Sequence, residues 1–254
     1  MAVVVLASAG CAPGVTTTAL ALSLQWPRAS VLIDADPNPT QAVLAGYLGG
    51  AYLDPGGLTA IAARHRARVP LDVPTTALEL PHDGTLRRLF VPGLSHPGAA
   101  AVFPPVWNAL APELADLHRQ QLDVFVDIGR LGAGLPPALL THANLVLVVT
   151  RTGLRDLAAL RVHLPALQQH MEQVDATAGL ALAAVGSGQP YEAREIARAF
   201  DLPVWGVIAD DPDAAAVYSD GEEPARRHDR SALLTSIRDT IENIRGRLLP
   251  VVAR

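Results

Sequence analysis

The sequence predicts an α/β fold: a doubly wound, mostly parallel sheet of about seven strands with helices on both faces. Three observations lead there. Short apolar runs alternate along the chain with longer segments of helical periodicity, the signature of repeated βα units. Most of those short runs are Val, Ile and Leu throughout, as strands covered by helices on either side must be. The chain has 254 residues, 50% of them hydrophobic, enough to bury a full core without disulfide or metal staples.

In chain order, buried strands are expected at Val3–Leu6, Ser30–Ile33, Leu89–Val91, Val124–Val126, Leu145–Val149, Leu180–Val185 and Val204–Ile208. Helices are expected between them at Thr17–Gln25, Gly57–Arg66, Val106–Arg119, Leu154–His170, Tyr191–Phe200 and Ser231–Arg247. The stretch from Asp54 to Pro105, rich in Pro and Gly, carries the fewest periodic cues. No repeat or low-complexity linker divides the chain. Residues 1–225 are expected to form the domain, with an amphipathic basic helix over 226–254 packed on it.

Composition excludes several classes of function. No apolar run reaches the ~18 residues of a spanning helix, and the N-terminus lacks the basic start of a signal peptide. A soluble, cytoplasmic protein is expected. Cys11 is the only cysteine, so neither an intrachain disulfide nor a cysteine zinc cluster can form. His65, His82, His96, His118 and His142 lack metal-ligand spacing and are expected at the surface. A net charge of −5 gives no global reason to expect nucleic-acid binding. One count stands out: all 20 basic residues are arginine, and lysine is absent. Every mechanism that needs a lysine is therefore closed.

In a doubly wound sheet, ligands sit beyond the carboxyl ends of the strands. After the first strand comes Ala7-Ser8-Ala9-Gly10-Cys11-Ala12-Pro13-Gly14-Val15-Thr16-Thr17-Thr18, a small-residue turn opening a helix. Free N–H groups and the positive end of the helix dipole make such a turn a phosphate cradle. Gly14 permits close backbone approach, and a threonine hydroxyl can coordinate Mg²⁺. The same turn can also be plain strand-to-helix geometry with a threonine cap. After the second strand comes Asp34-Ala35-Asp36-Pro37-Asn38, and after the fourth Asp127-Ile128-Gly129-Arg130. Asp34, Asp36 and Asp127 have the chemistry to organise Mg²⁺ and water; as loop carboxylates they can equally cap neighbouring N–H groups. Cys11 beside a helix start has no base placed to activate it.

The first loop resembles the deviant Walker A motif of the ParA/MinD family of P-loop ATPases, Lys-Gly-Gly-x-Gly-Lys-Thr-Thr. Gly14, Thr16 and Thr17 match it. Gly10 and Val15 stand where the family has its two lysines, and Cys11 and Ala12 replace two glycines. Asp34-x-Asp36-Pro37-Asn38 resembles the family's Asp-x-Asp-Pro-Gln switch I, and Asp127 its switch II aspartate. Leu202-Pro203-Val204-Trp205-Gly206, followed by Asp210-Asp211-Pro212, is similar to its last strand and nucleotide-base loop. The matches run in order from about Ala2 to Gly221. The resemblance implies a P-loop NTPase-like fold and ATP or ADP with Mg²⁺ as cofactor. It implies Gly10, Cys11, Ala12, Pro13, Gly14, Val15, Thr16, Thr17, Asp210 and Pro212 as nucleotide contacts. Thr16, Asp34 and Asp127 would surround the metal, and Asp36 would be the catalytic residue.

It further implies a homodimer with opposed phosphate loops, a protein partner, and a role in positioning or partitioning DNA or a cellular machine. Without the lysines, contacts that stabilise a transferring phosphoryl group are lost, and ATP hydrolysis is expected to be weak or absent. Arg130 and Arg151, both after strands at the same sheet edge, could replace a lysine in an active Mg-ATPase, although the planar guanidinium does not fit a lysine's place unchanged. Each could equally sit in a solvated ion pair. A nucleotide-independent adaptor is a further alternative. A dinucleotide binder is disfavoured, because the first loop lacks Gly-x-Gly-x-x-Gly.

From Arg226 onward the local charge is +4 against −9 for the rest. Leu233, Leu234, Ile237, Ile241, Ile244 and Leu248 recur at helical spacing. Packing on the sheet, a self-association or partner seam, and a membrane helix compete for that face; Asp239 and Glu242 disfavour the membrane. Arg226, Arg227 and Arg230 are the candidates for non-specific DNA contact.

Overall fold

Eight strands form one sheet in the order β3-β4-β2-β5-β1-β6-β7-β8. They are β1 (Val3–Ser8), β2 (Ser30–Asp34), β3 (Leu78–Glu79), β4 (Arg88–Val91), β5 (Asp123–Arg130), β6 (Leu145–Arg151), β7 (Gly179–Val185) and β8 (Val204–Ile208). The computed structural model describes residues 2–10, 14–52, 56–132 and 135–248. All pairings are parallel except β3 with β4. The seven expected strands are all present. The eighth, β3, has only two residues and no apolar run, which is why periodicity does not reveal it.

The helices are α1 (Val15–Gln25), α2 (Ala42–Ala45), α3 (Gly57–Arg66), α4 (Val73–Thr76), α5 (Pro104–Asp116), α6 (Pro137–Thr141), α7 (Leu154–Gln173), α8 (Ala193–Phe200), α9 (Pro212–Ser219) and α10 (Ala232–Leu248). The short α2, α4, α6 and α9 are too brief to show a 3.6-residue period. Helix α5 begins two residues earlier than expected, because Pro104 and Pro105 suit a first turn whose N–H groups have no intrahelical acceptor. It gives way to a 3₁₀ turn over Leu117–Gln120.

Alternation along the strands divides the core in two. Val3, Val5, Val31, Ile33, Val124 and Val126 face α3, α5 and α7. Val4, Leu6, Leu32, Phe125, Leu145 and Leu147 face α1, α9 and α10. Helix α1 is pressed between sheet and helices, and eight of its eleven residues are buried. The apolar face of α10 is spent in this core: Leu233, Leu234, Ile237, Ile241 and Ile244 are buried, chiefly against β8 and α1. The helix begins at Ala232, so Arg226, Arg227 and Arg230 lie in the exposed turns before it rather than in the helix. Among the described residues, no helix is long and apolar enough to cross a membrane.

Candidate functional site

The chain runs from β1 to α1 and outward to β2, then returns through β5 and crosses to β6 on the other side of β1. The carboxyl end of β1 therefore sits where the winding reverses, the place such sheets reserve for ligands. Gly14 caps α1 with φ 82°, a left-handed conformation that glycine adopts at little cost, and makes no side-chain cap. Gly14 therefore leaves the helix's first N–H groups without a side-chain acceptor of its own. Thr16, on the first turn, donates from its hydroxyl to the Asp127 carboxylate at 2.6 Å. Gly10 packs against α7, its hypothetical Cβ 3.0 Å from Ala159. Val15 is buried in the core and Thr17 is half-buried on the same turn. Cys11, Ala12 and Pro13 lie outside the described residues.

Asp34 and Asp127 are partners in register on β2 and β5, both nearly buried. Burial, with Asp127 nearby, pushes the Asp34 carboxyl up to about 7. Burial also lifts Asp127 to about 6, against the hydrogen bonds from Thr16 and from the Gly129 N–H at 2.9 Å. Neither pairs with a basic group among the described residues. Asp36 is less buried; its carboxyl is raised by burial and pulled back by Asn38 and the positive charge of Arg130. Its Oδ1 accepts from the Asn38 N–H at 2.8 Å, fixing the loop in a tight turn. Two glycines create room for these carboxylates. A Cβ on Gly93 would fall 2.6 Å from the Asp34 carboxylate, and one on Gly129 (φ +65°) 2.3 Å from that of Asp36. The three aspartates do not converge on one point: no cluster of three acidic, His or Cys ligands forms among the described residues.

A cleft of about 410 Å³ opens beside Asp36, lined by Ser8, Gly14, Thr16, Asn38 and Arg130 among others; Asp127 reaches it only through Thr16, and Asp34 is not in its lining. Sequence reasoning overlooked Gly93, Ser8, Asn38 as a turn partner, and Thr40 on the same wall. Only the glycine that follows a strand leaves a legible trace. The two rim arginines part company. Arg151 is held by Asp210 at 2.9 Å, whereas Arg130 is exposed on the cleft wall. Asp210 is thus engaged from β6, and Pro212 opens α9; both lie outside that cleft's lining.

The oxygen donors at this strand end (a hydroxyl and three carboxylates) are those Mg²⁺ prefers, and the first turn of α1, entered through the left-handed Gly14, carries the N–H groups that attract anions. Solved structures carry the same architecture. A ParA family ATPase from Chlorobium tepidum TLS superposes with TM-score 0.73 at 14% identity, covering 95% of this chain and 97% of that one. The chain has the ParA/MinD fold.

A structure of the MinC:MinD cell division protein complex of Aquifex aeolicus is similar at TM-score 0.70 and 15% identity, over 100% of this chain and 99% of that one. The septum site-determining protein MinD of Pyrococcus horikoshii OT3, complexed with Mg-ADP, matches at TM-score 0.67 and 15% identity, over 98% and 99%. No family model matches the sequence, and no curated protein sequence is significantly similar to it.

Of the histidines, His96 and His118 are exposed, but His65, His82 and His142 are partly buried. The surface expectation fails most clearly at His82, whose Nε2 is buried without a partner. Its neighbours in the β3–β4 turn enclose it, which isolated spacing cannot foretell.

Proposed function

We propose that this chain is a ParA/MinD-like protein that positions or partitions DNA or a cellular machine, with a degenerate Walker A loop that binds Mg-nucleotide and hydrolyses ATP weakly or not at all. The observation that carries this reading is the 2.6 Å hydrogen bond from Thr16 to Asp127, behind the left-handed Gly14, in a chain without lysine. Mg²⁺, when bound, would neutralise the phosphate oxygens. Thr16, Asp127 and Asp34 are the residues that would hold it, and its charge would relieve the buried carboxylates. Gly10, Gly14, Val15, Thr16 and Thr17, with Cys11, Ala12 and Pro13, would surround the phosphates. Asp36, on the cleft wall, would orient the attacking water, and Asp210 and Pro212 would flank the base. The Mg-ADP found in MinD of Pyrococcus horikoshii supports the cofactor.

A dimer with opposed phosphate loops and a protein partner complete the proposal; the MinC:MinD complex supports the latter. Arg226, Arg227 and Arg230, exposed ahead of α10, are proposed for non-specific DNA contact through counterion release. A second reading, an active Mg-ATPase, is favoured by Arg130, which lines the cleft and has no carboxylate within 4.0 Å among the described residues. Titration calorimetry with ATP and ADP, with and without Mg²⁺, alongside steady-state hydrolysis, separates the readings. Binding without robust turnover supports the first, and robust turnover lost in Asp36→Ala supports the second. In Val15→Lys, a new ammonium should tighten nucleotide binding; unchanged affinity refutes a preformed cradle.

A further inference from the structure

At the opposite, amino-terminal end of the strands lies a larger cleft of about 750 Å³. Its walls come from the end of α1, the turn between β3 and β4, the end of α9 and the turns before α10. Three arginines line it: Arg88, Arg226 and Arg238. Arg226 and Arg238 are exposed, but Arg88 is only 3% exposed. The Arg88 guanidinium donates to the Ser30 hydroxyl at 3.1 Å and to the Arg28 and Trp26 carbonyls, all neutral acceptors. Arg238 likewise meets only neutral oxygens, the Asp229 carbonyl at 2.6 Å and Gln25 Oε1 at 3.3 Å. Among the described residues, none of the three has a carboxylate within 4.0 Å. Asp83 and Asp229 also line the cleft, and Asp229 is turned to Arg230 at 3.8 Å.

Three buried side-chain nitrogens of the described residues lack any hydrogen-bond partner. Two of them, Arg88 Nε and His82 Nε2, belong to this cleft. A buried guanidinium with no countercharge is costly, and an unpaired buried donor such as the Arg88 Nε–H is uncommon in native folds. A concave site of this volume encloses a small ligand rather than a helix or duplex. Guanidinium forks match phosphate oxygens bidentately; the exposed Arg226 and Arg238 can supply such forks, while Arg88, its Nη atoms already engaged, adds an uncompensated charge behind them.

We propose that this cleft is a second binding site, for a small ligand carrying two or more phosphate groups, separate from the site at the carboxyl ends of the strands. Its grounds are distinct from those of the nucleotide reading, and either can fail alone. The test is an NMR titration of the ¹⁵N-labelled full chain with inorganic pyrophosphate in the absence of Mg²⁺, following the arginine Nε–H signals. Saturable shifts of Arg88 and Arg238 are expected. Affinity read from the Arg88 signal should fall by at least roughly tenfold in the surface double variant Arg226→Ala/Arg238→Gln and stay unchanged in Arg194→Gln, an exposed arginine that lines neither cleft. An unmoved Arg88 signal at millimolar pyrophosphate overturns the proposal, as do shifts confined to Arg130. Shifts produced by short duplex DNA but not by pyrophosphate overturn it too, and would reassign the surface to nucleic acid.

Discussion

Replacing Asp34 by Asn should stabilise the protein above neutral pH. The Asp34 carboxyl is 8% exposed and pushed from 3.8 to about 7 by burial beside Asp127. An unfolded chain ionises this group near pH 4, the folded chain only near pH 7. Between those values the unfolded state holds fewer protons, so stability falls as pH rises from about 4 to about 7 and then levels off. A displacement of roughly three units corresponds to on the order of 3–4 kcal/mol. Asn keeps the oxygen that accepts the Asp36 N–H, fits the same space beside Gly93, and cannot ionise. Urea denaturation of both proteins from pH 4.5 to 8.5 should show a gap that opens with pH and reaches several kcal/mol by pH 8. At that pH the same substitution should weaken Mg²⁺-dependent ADP binding, because it removes a charge the cation would answer. A variant less stable than the parent at pH 8, or a gap that does not change with pH, would refute the claim that Asp34 is a strained, cation-seeking carboxylate.

Gly129→Ala should cost on the order of 1–3 kcal/mol in urea denaturation, since φ is +65° and the new Cβ would meet the Asp36 carboxylate at 2.3 Å. Gly132→Ala, with nothing within 4 Å of its Cβ, should be nearly neutral. Arg130→Gln should raise the Asp36 pKa further and weaken ATP and ADP binding several-fold by calorimetry, because Arg130 supplies the cation on the cleft wall. Arg151→Gln should have a much smaller effect, its charge being committed to Asp210. Non-specific duplex DNA should be shifted in a salt-sensitive manner, and Arg226→Glu/Arg227→Glu/Arg230→Glu should abolish the shift.

The sheet was legible because its strands are aliphatic on both faces, so Val3–Ser8 or Leu145–Arg151 declare themselves without an alternating pattern. The two-residue β3 and the four-residue α2 and α4 carry no period and owe their existence to contacts made elsewhere. The placement of Asp34, Asp36 and Asp127 at one edge of the sheet was legible because each follows an apolar run. What distant segments do to one another was not. Nothing local tells that Gly93 makes room for Asp34 from just beyond the neighbouring β4, or that Asp210 captures Arg151 across 59 residues. Nor does spacing reveal that Arg88, the first residue of an apolar strand, would be buried with an unpaired Nε. Charge pairing is a tertiary property, and a count of arginines cannot supply it.

That limit explains why the missing lysines matter more in the folded chain than in the sequence alone. In one dimension, an arginine after a strand is an equal candidate at positions 130 and 151. In three, one is neutralised by a carboxylate and the other is exposed beside the loop that would hold phosphate. Arg130 approaches from the end of β5, not from the loop where a Walker lysine would stand. A guanidinium from that direction can neutralise a bound anion by Coulomb attraction across the cleft, yet it does not follow a phosphoryl group from within the turn as a loop lysine does. In the proposed site, ground-state binding would therefore suffer less from the absence of lysine than transition-state stabilisation, and only the latter accelerates hydrolysis. On the proposed reading, a site of this geometry would favour holding a nucleotide over turning it over.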